Sequence, residues 1–107
     1  MAAYAGTTTL VYQTVFGNKR VSLLKVTITN YNATGIPTVK VSAGIKTVDA
    51  VYMTVEGGLG NANAPLGGSY DSSADIFYLY KAVNSAVADD TNLSAATIYP
   101  YLLVIGT

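Results

Sequence analysis

Asp71 and Asp75, four residues apart, come closest to a chemical motif in this chain. Paired carboxylates can divide acid and base work in glycoside hydrolysis. That division needs one carboxyl in a burying environment beside a solvated partner. Only Ser72, Ser73 and Ala74 lie between the two, so the plain reading is a pair of solvated loop residues. Asp89-Asp90-Thr91-Asn92 offers oxygens of the kind calcium takes. It lacks the fixed ligand offsets of a calcium loop and reads as a turn with Asx capping. Five glycines stand between positions 57 and 74, but no lysine lies between Lys46 and Lys81. A phosphate-cradling loop needs a Gly-Lys-Ser/Thr ending ahead of a helix. The chain has no His, Cys or Trp. That excludes His- and Cys-ligated zinc, thiol chemistry, disulfides and Ser-His-Asp triads. The residues therefore point away from an enzyme, with no catalytic, metal or cofactor site and no small-molecule substrate expected.

What remains is surface chemistry. Lys19 and Arg20 form a basic pair at an expected hairpin tip, either for solubility or for docking to an acidic partner. Nine tyrosines are spread through 107 residues. Tyr12, Tyr52, Tyr78, Tyr80, Tyr99 and Tyr101 all fall in expected strands. They could stack on sugars, as in carbohydrate-binding modules, or form half-buried core and subunit contacts. Sugar platforms usually include Trp, so contact is the preferred reading. Charge argues the same way. Only 11% of residues are charged, six basic against six acidic, where a soluble domain has roughly 25%. Free monomers usually keep their net charge away from zero, whereas interfaces are depleted of charge and rich in Tyr. Without a basic excess, nucleic acid is not an expected partner. The longest apolar run, residues 99–105, is broken by Pro100 and falls far short of the ~20 residues that span a bilayer. The opening Met1-Ala2-Ala3-Tyr4-Ala5-Gly6 has neither a basic nor an apolar leader region. The expectation is a chain made in the cytoplasm with no membrane partner.

The elements that must position these residues read as strands. Residues 9–16 alternate, with Leu10, Tyr12, Thr14 and Phe16 on one face and Val11, Gln13 and Val15 on the other. Phe16-Gly17-Asn18-Lys19 is a hairpin turn, glycine supplying the positive φ of a tight turn. Residues 20–29 follow as the antiparallel partner, with Leu24, Val26 and Ile28 on one side. Residues 30–37 are turn chemistry. Val39 and Val41 alternate with Thr38, Lys40 and Ser42 in a short strand or an irregular segment ending at Gly44. Residues 47–55 form a strand with apolar groups on both faces, expected to be covered on both sides. Residues 57–74 form a long Gly-rich loop, 75–83 a dense strand and 84–92 a polar loop. Residues 95–105 form a last strand in which Pro100 marks an edge, a bulge or a break. Short strands with turn signals between them, in one domain of 107 residues, predict an all-β fold. The architecture is an antiparallel β-sandwich or small β-barrel, with a jelly-roll-like arrangement among the options.

Phe16-Gly17-Asn18-Lys19-Arg20-Val21, Lys25-Val26-Thr27-Ile28-Thr29, Tyr31-Asn32-Ala33-Thr34-Gly35-Ile36-Pro37, Val48-Asp49-Ala50-Val51, Leu93-Ser94-Ala95-Ala96-Thr97 and Val104-Ile105-Gly106-Thr107 follow one another along the chain. In this order they resemble small tailed-phage virion proteins described as head decoration or capsid cement proteins. The likeness covers most of the chain, through strand and turn motifs. Val39-Lys40-Val41-Ser42-Ala43-Gly44-Ile45 departs from it, standing where that group has a more acidic, Leu-bearing turn. The resemblance implies a small all-β subunit, a homotrimer on the outside of an icosahedral head, with the major capsid protein as its partner. It supplies no catalytic residues. On this reading residues 1–9 form an extended arm, and the arm, the hairpin tip and the 57–74 loop reach the shell. Tyr4, Thr8, Lys19, Arg20, Leu59, Asn61, Asn63 and Leu66 are then the candidate partner contacts. Tyr52, Tyr78, Tyr80, Tyr99 and Tyr101 are the candidate oligomer contacts. Two other readings are a carbohydrate- or host-surface-binding module on the virion and a tail or connector component.

Overall fold

The computed structural model describes residues 4–32, 34–57, 65, 67–82, 85–87 and 91–107. The fold is all-β. Strands β1 (Ala5–Phe16), β2 (Lys19–Asn30), β3 (Val48–Glu56) and β7 (Tyr99–Gly106) make a four-stranded antiparallel sheet in the order β1-β2-β7-β3. Strands β4 (Gly67–Asp71), β5 (Ile76–Ala82) and β6 (Ser85–Ala86) make a second, three-stranded antiparallel sheet. One five-residue helix, α1 (Val39–Ala43), and a 3-10 turn at Ser94–Ala96 complete the described elements. No described helix is long and apolar enough to cross a membrane. The two sheets are separate, so the arrangement is sandwich-like and not a closed barrel. A jelly roll divides eight strands between its two sheets, and the described residues form four strands and three.

Alternation builds the core. On β2, Ser22, Leu24, Val26 and Ile28 are buried, and on β7 the inward set includes Leu102 and Val104. Phe77 and Leu79 of β5 face them from the other layer, joined by Ile36, Val39, Ala43, Leu93 and Ile98 in one continuous cluster. Tyr31 is buried among them, and its hydroxyl accepts the Leu79 backbone N–H at 3.0 Å. Closing over this many fully buried side chains, each worth about 1.5–3 kcal/mol, lets a small chain without disulfides hold its shape.

The hairpin forms where glycine predicts it, with Gly17 at φ 61° and Phe16 opposite Lys19. Five expectations change. The arm expected over residues 1–9 is already strand from Ala5, where β1 pairs with Asn30 at the far end of β2. The loop expected over 57–74 contains β4, which pairs Gly67 with Tyr80 and Asp71 with Ile76. Gly68 permits this, because a Cβ there would strike the Phe77 ring. The 84–92 loop contains β6, and the first two residues of the last expected strand, 95 and 96, lie in the 3-10 turn Ser94–Ala96. Val39–Ala43 is a helix instead of a short strand or an irregular segment. Residues 39 and 43 lie one helical turn apart, and both Val39 and Ala43 enter the core.

Pro100 lies inside β7, a central strand, without breaking it. The ladder from β2 ends at the Lys25–Tyr101 pair, while β3 continues to Tyr99. Proline thus falls where β7 has lost one neighbour and behaves locally as an edge. With β2 on one side and β3 on the other, β7 is not the edge strand that is one of the readings of Pro100.

Candidate interaction surface

The two aspartates are employed in structure. Asp71 closes its own Asx turn: its carboxylate accepts the Ser73 hydroxyl at 2.7 Å and the backbone N–H groups of Ser73 and Ala74 at 3.0 and 3.3 Å. The Ser73 hydroxyl foremost, then these N–H groups, holds its pKa below the usual value. Asp75, in the left-handed region at φ 57°, reaches back to α1. Both carboxylate oxygens accept the Lys40 N–H, at 3.0 and 3.1 Å, and one also accepts the Tyr70 hydroxyl at 2.7 Å. Burial foremost, and then this bond, pushes the Tyr70 pKa up. Asp75 thus does the capping that Thr38, itself left-handed at φ 55°, leaves undone. Asn92 is occupied in the same way, accepting the Ser94 hydroxyl and the Ala95 N–H at the 3-10 turn. Asp89 and Asp90 lie outside the described residues. Among the described residues no three acidic side chains cluster as metal ligands would.

The candidate contacts are dispersed. Tyr4 packs against the core, and its hydroxyl is buried with no hydrogen-bond partner among the described residues. Burial foremost, then Tyr31, raises its pKa to about 12. Thr8 is half-buried opposite Val26 on the inner face. Both belong to the folded sheet and its core contacts, not to an outstretched arm. Lys19 and Arg20 are consecutive strand residues, so they point to opposite faces. Lys19 pairs with Asp49 at 2.6 Å across the outer face, and the expected joint basic patch does not form. Leu59, Asn61, Asn63 and Leu66 lie outside the described residues. The five tyrosines divide between the sheets. Tyr52, Tyr99 and Tyr101 lie on the outer face of the four-stranded sheet, while Tyr78 and Tyr80 alternate with buried Phe77 and Leu79 on the far side of β5.

The outer face of the four-stranded sheet is where the registers assemble something. One row runs Tyr12–Leu23–Leu103–Tyr52 across all four strands, and the next runs Thr14–Val21–Ile105–Ala50. A third runs Thr9–Lys25–Tyr101–Thr54. Tyr12 and Tyr52 are 61% and 59% exposed, and Val21, Leu23, Leu103 and Ile105 are half-buried only by one another's company. No described element covers this face, so the expected double covering of β3 is not supplied by the described residues. Charge is kept to its margins and paired there. Lys19 meets Asp49, and Lys25 lies 3.9 Å from Glu56. The Lys25 ammonium sits 4.3 Å from the Tyr99 ring centre, and the Tyr101 hydroxyl donates to Glu56 at 3.3 Å. At about 4.8 Å between strands and about 6.8 Å between same-face neighbours, the two apolar rows cover on the order of 260 Å². That approaches the size of the largest exposed patch on a typical monomer, which is often functional. An apolar centre inside a rim of paired charges is how protein interfaces are built.

A bulge between Leu10 and Tyr12 decides who joins this face. Before it Leu10 faces inward, opposite buried Leu24; after it Gln13 faces inward, opposite Ser22. Simple alternation put Leu10 with Tyr12 and Phe16, and the extra residue separates them. The other described depression is an open groove between Lys40 and Lys46, floored by Val41, Gly44 and Ile45, with no converging polar groups to define a ligand. No protein-family model, curated protein or solved structure matches this chain.

Proposed function

We propose that the protein is a non-enzymatic virion structural protein of the head decoration type. It binds the major capsid protein on the outside of an icosahedral head as a trimer and stabilises the shell. The observation that supports this reading is the uncovered apolar face of the β1-β2-β7-β3 sheet, with its charges paired at the rim. At roughly a third of the ~800 Å² that one partner gives a standard interface, the tract suits the centre of a contact completed by surrounding polar surface. A symmetric trimer uses each contact three times. Three linked copies on one shell site also gain affinity through effective concentration even where a single contact is weak.

The test compares expanded heads with and without the protein. Heads carrying it are expected to survive heating at temperatures that open bare heads, and the Tyr12→Glu/Tyr52→Glu double variant is expected to give no protection. Equal survival of bare and decorated heads, or failure of the protein to bind heads, would contradict the reading.

A further inference from the structure

Strand β1 is the edge of its sheet, and its outward edge pairs with no described strand. Its twelve residues, AGTTTLVYQTVF, contain no charge and no proline. Edge strands normally discourage foreign pairing by being short, charged, proline-bearing or bulged; β1 has only its bulge at Val11. The opposite edge is guarded. β3 is nine residues long, carries Asp49 and Glu56, is bulged between Val48 and Ala50, and lies beside β4. One sheet thus has a closed edge and an open one.

We propose that β1 pairs antiparallel with β1 of a second copy across a two-fold axis, joining two four-stranded sheets into one of eight. Backbone chemistry calls for a strand, because an unpaired edge presents alternating N–H and C=O groups that another extended backbone satisfies in turn. Charge favours the same chain, since β1 is uncharged and the whole molecule is neutral, so two copies do not repel. Side chains favour it too. Leu10, Val11 and Val15, which lie outside the outer-face rows, are 45–60% exposed along β1, and a two-fold axis sets this apolar set against itself. The contact rests on neither the virion reading nor the outer face. A closed trimer leaves it free, and it joins one copy to one other.

The chain has no cysteine, so an introduced thiol reports on its own surroundings. The full-length variants Thr9→Cys, Val11→Cys and Val15→Cys are oxidised mildly beside Val41→Cys, whose site on α1 is 80% exposed. At least one β1 variant is expected to form a covalent dimer ten-fold or more faster than Val41→Cys. Adding Gln13→Lys to that variant is expected to abolish the advantage while the circular dichroism spectrum stays that of a β protein. If all three β1 variants cross-link no faster than Val41→Cys, the proposal is overturned. It is also overturned if they cross-link only to another protein. Neither result bears on the apolar face, which Tyr52→Glu on β3 tests away from the β1 edge.

Discussion

Asp75 is the side chain through which the second sheet holds α1. Its carboxylate takes the Lys40 N–H and the Tyr70 hydroxyl together, so Asp75→Ala leaves two donors without their acceptor. At about 1 kcal/mol per bond, a loss of roughly 2 kcal/mol in urea unfolding is expected. Tyr4 presents the reverse case. Its buried hydroxyl has no described partner, and an unsatisfied buried hydroxyl costs about 1–3 kcal/mol. Tyr4→Phe is therefore expected to stabilise the protein by about 1 kcal/mol at neutral pH. The folded protein also holds the Tyr4 proton more tightly than the unfolded chain does, with its pKa raised from 10.0 to about 12. The associated stability is present below pH 10 and is lost as pH rises towards 12. The gap between Tyr4→Phe and the wild type, followed by urea midpoints at pH 9 and pH 11.5, is expected to widen. Neither role was legible in the sequence. A carboxylate four residues from another looks the same whether solvated or capping a helix 35 residues away, and nothing local marks a terminal tyrosine for burial.

At the scale of elements, sequence period read well where one face is buried and the partner is near in the chain. The β1–β2 hairpin, the inward Leu24, Val26 and Ile28, and the inward Phe77 and Leu79 all follow from alternation and a turn glycine. It read poorly where tertiary contacts decide. Val39-Lys40-Val41-Ser42 alternates as a strand would, yet the segment coils because distant groups satisfy both of its ends. Asp75 takes the Lys40 N–H. At the other end, Gln13 and the buried hydroxyl of Ser22 donate to the Ala43 carbonyl at 2.9 and 2.7 Å. Gly44 closes the turn at φ 69°. Gly44→Ala forces a Cβ into that left-handed conformation and is expected to cost about 1 kcal/mol, read as a lower urea midpoint with an unchanged slope. β4 was missed for a related reason, since Gly67-Gly68-Ser69 has no apolar alternation and is a strand only because β5 lies beside it. The Val11 bulge was invisible, because an extra residue changes which face a side chain takes without changing its type.

For the whole molecule, sparse charge and abundant tyrosine find a physical place. The outer sheet face is apolar at its centre, and the charges around it are already paired within the chain. Composition carried the existence of such a surface. Its position could not be read, because it depends on which strands become neighbours: Tyr12, Leu23, Leu103 and Tyr52 are scattered in sequence and become one row only when β7 inserts between β2 and β3. The five tyrosines nominated together divide between two sheets for the same reason. The central claim, that copies of this chain cover one another's apolar face, is tested most directly by light scattering on the purified protein and on Tyr12→Glu/Tyr52→Glu. Both replaced side chains are well exposed, so the fold should tolerate the change. The account predicts a wild-type mass that is a multiple of three times 11.1 kDa, trimers being joined further where β1 also pairs, and a lower mass for the double variant. A wild-type mass of one chain, or a double variant that assembles as the wild type does, would contradict it.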